Sequence, residues 1–162
     1  IIQTDTTNDT TKVPSSAVTY ALGQEIDTLN NNFAQGVFTP TIRFSGNSVG
    51  ITYGSQSGMY YKVGKMVFVF ITITLTNKGT SVGNLEIGGL PFQSTSRARN
   101  IMTSQNITHP TNVGSLIAGF NDSGRNYMNV FGQLTSGGIM IVDNTHALNN
   151  LTLETSLVYV TN

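Results

Sequence analysis

Apolar residues follow one period near the start of the chain and another after Gly36. Between residues 16 and 33, four apolar side chains recur at spacings of four, three and four: Leu22, Ile26, Leu29 and Phe33. This is the a/d spacing of a coiled-coil seam. Ser15 or Ser16 can cap the first turn, and the run 30–32 followed by Gly36 ends the pattern. The spacing therefore predicts a helix over 16–33 with one narrow apolar stripe.

The stripe of this helix needs a partner, because a helix of about twenty residues is marginal alone in water. Thr19, Gln24 and Asp27 lie between the apolar positions, and they are too polar for a helix buried on several sides. We therefore favour association of the helix with copies of itself. Packing as a single amphipathic helix on its own domain stays open, since two heptads are few for an independent coiled coil.

After Gly36 the chain alternates short apolar or period-two runs with turn residues, a pattern typical of β-strands. Strands are predicted over 37–44, 50–53, 59–63, 65–76, 81–87, 98–103, 114–120, 127–134, 139–142 and 151–160. The longest begins as an unbroken apolar run in which Phe68 and Phe70 are expected in the core. With no second helix, the fold class is mainly β. We expect an antiparallel β-sandwich head at 36–162, preceded by a lead-in and short neck helix at 1–35.

Composition excludes several classes of partner. Eight basic residues balance eight acidic ones, and only 10% of the residues are charged, so no long-range field attracts nucleic acid or anionic lipid. There is no cysteine, which removes disulfides and thiolate chemistry. The longest apolar stretch, 66–73, is far too short to cross a bilayer as a helix, and no membrane insertion is expected. Surface polarity must come from Thr, Ser, Asn and Gly.

Two stretches of the sequence carry a resemblance to a known family. Thr-Lys-Val-Pro-Ser-Ser-Ala-Val at 11–18, followed by the short heptad helix, resembles the neck of bacteriophage tail fibres. The segments 36–44, 50–53, 56–64, 73–79 and 88–92 resemble a β-domain that recurs in such fibres. Together these cover about residues 11–92, and the remainder has only the same strand-and-turn character.

The resemblance implies a homotrimer located in the virion tail fibre, in contact with other fibre segments and acting in host attachment. Under it, the neck helix is a trimeric coiled coil with Leu22, Ile26, Leu29 and Phe33 as trimerisation residues. The absence of an initiator Met at Ile1 leads us to expect that the chain begins inside a longer fibre. Its end directly after a strand favours a tip, or a site where a precursor is cleaved.

Titratable residues are too few and too scattered to predict catalysis. His109 and His146 lie in separate turns without the spacing of a zinc site. Glu86 and Glu154 fall within alternating strands and are expected to point outward to water, while Asp122 and Asp143 look like turn formers. The sequence contains no nucleophile elbow and no phosphate-binding loop. We therefore expect no enzyme and no metal or other cofactor.

Sugar binding is better supplied, because it combines aromatic faces with amides and hydroxyls. The aromatic candidates are Tyr53, Tyr60, Tyr61, Phe120, Tyr127 and Phe131. The preferred contact zone is the polar loop set 104–112, 121–127 and 143–150, with His109, Asn121, Asp122, Arg125, Tyr127, Asn144 and His146 as receptor- or glycan-binding residues.

Arg97-Ala98-Arg99 could hold an anionic sugar or phosphate, or simply solvate its loop. The expected partner is a bacterial surface polysaccharide, either lipopolysaccharide O-antigen or capsule. The alternatives are a connector or trimerisation module without its own receptor site, and a polysaccharide depolymerase with a site between chains.

Overall fold

The computed structural model describes residues 16–109 and 111–162, so the predicted lead-in and Pro14 lie outside the described residues. Within these residues, one helix, α1 (Ser16–Asn31), precedes ten strands. The strands are β1 (Phe33–Phe38), β2 (Thr41–Phe44), β3 (Ile51–Val63), β4 (Met66–Lys78), β5 (Leu85–Gly88), β6 (Arg99–Ile107), β7 (Val113–Gly119), β8 (Met128–Leu134), β9 (Ile139–Ile141) and β10 (Ala147–Val160). The chain is mainly β, as the pattern predicts.

The strands form one continuous antiparallel sheet in the order β1-β3-β4-β10-β6-β7-β8-β5-β2, with β9 added to β8. The predicted sandwich of two separate sheets is not confirmed, because hydrogen bonds link each neighbour in this order. The sheet curls, so that β2 at one end lies near β3 at the other. Gln56 on β3 donates to the Pro40 carbonyl at 2.8 Å, and the Tyr53 hydroxyl bonds both backbone groups of Ile42 on β2. The result is a half-barrel.

The core fills the concave side of this sheet. On β4, alternate residues from Val67 to Leu75 are buried, and on β10 Leu151, Leu153, Leu157 and Tyr159 join them. Each such aliphatic side chain contributes roughly 1.5–3 kcal/mol on burial. Period-two alternation therefore places one face of each long strand inside and the other outside.

On the inner side of β1 and β3, two glycines lie opposite aromatic rings. Gly58 pairs with Phe38 across these strands, and a Cβ at Gly58 would lie 2.8 Å from the Phe38 ring. Gly36 stands in the same relation to Tyr60. The missing side chains leave room for the rings to lie flat over the neighbouring backbone.

Three expectations are corrected by the structure. The strand predicted over 37–44 is two strands, because Pro40 interrupts it between β1 and β2. Phe33 lies in β1 rather than in the helix. Phe70, predicted for the core, is 50% exposed on the convex side, because β4 is covered on one face only within this chain.

The helix is attached to the sheet by a single residue. Asn32 alone separates α1 from β1, and its carbonyl accepts a 2.6 Å hydrogen bond from Gly64 in the β3–β4 turn. Leu22, Ile26 and Leu29 are all exposed. Across 16–109 and 111–162 no helix has the length and apolar character to span a membrane.

Candidate ligand-binding cluster

The arginines of the sheet gather on the convex side of β2, β5, β8, β7 and β6. Strand register places Arg43 opposite Glu86, Glu86 opposite Asn129, and Arg99 opposite Gly119. Five strands at a spacing of about 4.8 Å make this surface roughly 19 Å wide along the sheet. We call the residues Arg43, Glu86, Arg97, Arg99, Asn121, Asp122, Arg125 and Tyr127 the Tyr127 cluster.

Glu86 anchors one side of the cluster. Its Oε2 accepts hydrogen bonds from Arg43 Nε at 2.8 Å and from the Gly46 amide at 3.2 Å. The expectation that Glu86 points to water is wrong: the residue is only 6% exposed, because the Arg43 side chain lies against it. This pair fixes the guanidinium of Arg43 at the edge of the sheet.

Two guanidinium groups lie against the ring of Tyr127. Arg43 Cζ is 4.1 Å and Arg125 Cζ is 5.1 Å from the centroid of its ring. Arg125 also donates to Asp122 at 3.1 Å. The arrangement holds an aromatic ring and two sets of N–H donors at one place on the surface, by cation–π contact and ion pairing.

Arg97 and Arg99 form the other side of the cluster. Arg97 donates to the carbonyl oxygen of Asn121 at 2.8 Å, and Arg99 donates to its Oδ1 at 3.3 Å. Arg99 Cζ also lies 4.9 Å from the ring centroid of the buried Phe131. No carboxylate of the described residues pairs with either arginine. The cluster thus carries two uncompensated positive charges in a chain with no net charge.

The structure divides the predicted contact residues between two places. Asn121, Asp122, Arg125 and Tyr127 lie together in the cluster. His109 and His146 lie at the opposite end of β6 and β7, where the Thr108 amide donates to the His146 carbonyl. The seven residues of β7, about 23 Å at 3.3 Å per residue, separate that end from the loop 121–127.

Asn144 and His146 hold turns in place. The Asn144 side chain accepts from the Gly83 amide at 2.9 Å, and His146 Nδ1 lies 2.9 Å from Asp143 Oδ1. The pKa of Asp143 is lowered, mainly by a hydrogen bond from the Thr145 hydroxyl and also by His146. This turn therefore has a structural explanation that needs no ligand.

Most other aromatic candidates have roles in packing. Phe120 and Phe131 are buried, Tyr60 packs edge-on against Phe92, and burial raises the pKa of Tyr53. Arg43 was missed as a site residue, because only the register of β2 with β5 brings it beside Tyr127. In the described ranges 16–109 and 111–162, no group of three His, Cys, Asp or Glu side chains is placed to hold a metal ion.

Comparison with known proteins gives a fold and no family. No family model matches the chain, and no curated protein sequence matches it. The chain is similar to the crystal structure of the Dettilon tailspike protein, with a TM-score of 0.65 and 20% identity. The match covers 80% of this chain and 24% of the tailspike, so the chain spans about a quarter of that protein's length. At this identity the similarity establishes the shared fold.

Proposed function

We propose that this chain is a receptor-binding module of a bacteriophage tail fibre or tailspike, which trimerises and binds a bacterial surface glycan through the Tyr127 cluster. Three findings support this: the neck-like sequence ahead of the sheet, the fold shared with part of a tailspike protein, and the cluster itself. The observation that carries the binding proposal is the contact of the Tyr127 ring with the guanidinium groups of Arg43 and Arg125.

The cluster suits a sugar chain that carries acidic groups. The exposed part of the Tyr127 ring can pack against the apolar face of a pyranose, and Asn121 supplies a side-chain amide for hydroxyls. Arg97 and Arg99 have guanidinium donors left over after bonding Asn121, and guanidinium matches carboxylate and phosphate in geometry. The ligand class is therefore an O-antigen or capsular polysaccharide bearing uronic acid or phosphate.

Trimerisation would raise the overall affinity for the polysaccharide above that of one weak site. Three copies on one axis present three clusters to a repeating polysaccharide, and the second and third contacts form at high effective concentration. Strong adhesion then needs no deep pocket. No catalytic role is proposed, because the carboxylates of the cluster, Glu86 and Asp122, are each occupied by an arginine.

The test is binding of the full chain to a panel of immobilised bacterial lipopolysaccharides and capsular polysaccharides. Tyr127→Ala is expected to weaken binding to the preferred polysaccharide at least about tenfold, a loss of about 1.4 kcal/mol per site before avidity. Tyr20→Ala, at an exposed tyrosine on the helix, is the matched control and should bind as the parent chain does. Binding should also weaken as salt rises.

Failure of the chain to bind any acidic polysaccharide would contradict the receptor role and favour the connector alternative. Loss of molecular mass of the bound polysaccharide during incubation would instead support a depolymerase. Equal binding by Tyr127→Ala and the parent chain would show that the Tyr127 cluster is not the ligand site.

A further inference from the structure

A second surface of the half-barrel is apolar and exposed. It lies on the convex side of β1, β3, β4 and β10, at the end of the sheet next to the helix. In the first row across these strands, Phe33 is opposite Val63, Val63 opposite Met66, and Met66 opposite Val160. All four side chains are exposed.

The next two rows continue this surface. Tyr61, Phe68 and Val158 share the second row, and Met59 and Phe70 share the third. Tyr61 packs edge-on against Phe70, with ring centroids 6.4 Å apart. None of the outward positions in these three rows is charged. We call these three rows the apolar face.

The face ends abruptly further from the helix. The following row holds Ser57, Thr72 and Glu154, and beyond it Thr74 bonds Thr152 through their hydroxyls at 3.2 Å. A shallow groove of about 410 Å³ marks this border, between Met59, Phe70 and Glu154. The same strands thus present apolar side chains near the helix and hydroxyls away from it.

The apolar face continues the predicted helix seam. Phe33 belongs to both, because it is the last residue of the seam and the first of the outermost strand. Only Asn32 lies between helix and sheet, and its hydrogen bond to Gly64 fixes the junction. A contact along the seam that includes Phe33 therefore also includes the first row of the apolar face.

The sequence of β4 also indicates that this strand is buried on both faces. Its first half, Met66 to Phe70, is an unbroken apolar run, which is the pattern of a strand buried on both faces. Within one chain only Val67 and Val69 are buried, while Met66 and Phe70 are about half exposed. Exposed apolar patches of this kind mark protein contacts. A neutral face offers no charge complementarity to a different, charged partner.

We infer that the apolar face is covered by a second copy of this chain, so that the contact between subunits runs from the helix onto the sheet. This inference rests on the proposed self-association but goes beyond the helix seam, and it leaves the Tyr127 cluster, on other strands, free for ligand. The border of hydroxyls at Thr72 then marks where the subunits part.

The test compares two double variants by sedimentation of the full chain over a dilution series. Met59→Ser with Phe70→Ser should raise the concentration of half-dissociation at least about tenfold, because up to six apolar side chains leave the contact in a trimer. Ser57→Ala with Thr72→Ala, one row away on the same strands, should leave it unchanged. Equal dissociation of the two variants would overturn the inference.

A second measurement distinguishes loss of the subunit contact from misfolding of a variant. Since the chain has no cysteine, a single thiol can be introduced by Met59→Cys and, as reference, by Ser136→Cys in the exposed β8–β9 turn. The thiol at 59 should react more slowly with a maleimide, and should match the reference once Leu22→Asp and Ile26→Asp separate the helices. Equal rates in the associated protein would also overturn the inference. A parent chain that stays monomeric would contradict both the inference and the proposed trimer, whereas an associated chain with an open face would contradict the inference alone.

Discussion

Removing the Glu86 carboxylate should weaken both the attachment of β2 to β5 and the binding cluster. Glu86→Ala leaves Arg43 Nε and the Gly46 amide without their shared acceptor. Breaking one partner of a buried ion pair costs about 3–5 kcal/mol. Because the Arg43 side chain is 27% exposed, water can recover part of this, and we expect a loss of about 2–3 kcal/mol in the free energy of unfolding.

The assay is denaturant unfolding at one fixed protein concentration, beside polysaccharide binding. The matched variant is Arg43→Met with Glu86→Leu, which replaces both charges by apolar groups. It should recover most of the stability but not the binding, because the Arg43 guanidinium no longer lies over the Tyr127 ring. If Glu86→Ala unfolds at the same denaturant concentration as the parent chain, the pair does not hold β2 against β5. If the double variant binds normally, Arg43 has no part in the site.

Two further predictions concern the helix and the core. Leu22→Asp with Ile26→Asp should convert the associated protein to smaller species in sedimentation. The control Thr28→Asp lies roughly 200° around the helix from Ile26 and should leave the mass unchanged. An unchanged mass for the first variant would mean that the seam is not a contact between subunits. Burial raises the pKa of Tyr159 to about 12, above its unfolded value, so its contribution to stability is full below pH 10 and is lost as pH rises through 12. Tyr159→Phe should lower the free energy of unfolding by about 1 kcal/mol at neutral pH, because the hydrogen bond from the hydroxyl to the Phe92 carbonyl is lost. Above pH 10 the stability of this variant should depend less on pH than that of the parent chain. The same pH dependence in both proteins would refute the prediction.

The sequence predicted the elements better than their arrangement. Spacing alone placed the helix and most strands, because periods of 3.5 and two are local properties. It could not separate a sandwich from a curled sheet, since both bury alternate residues of each strand. Phe70 was assigned to the core because its run is apolar on both faces, and the single chain covers only one.

The candidate site shows the same limit. The loop 121–127 was identified from its own residues, and Tyr127 and Arg125 are indeed together. Arg43 lies 84 positions before Tyr127 in the sequence, and only the pairing of β2, β5 and β8 brings the two into contact. His109 and His146 looked equally suitable as polar turn residues, but they lie at the other end of the strands.

The proposed ligand site and the proposed subunit contact can be tested together by oxidative footprinting. The full chain is compared with and without the polysaccharide that binds most strongly in the panel, and with the variant Leu22→Asp with Ile26→Asp. Met59 and Phe70 are expected to react more slowly in the parent chain than in the variant Leu22→Asp with Ile26→Asp, whereas the polysaccharide should protect Tyr127 and leave Met59 unchanged. Protection of a surface other than the Tyr127 cluster, or equal reaction of Met59 and Phe70 in the parent chain and in the variant, would contradict this expectation.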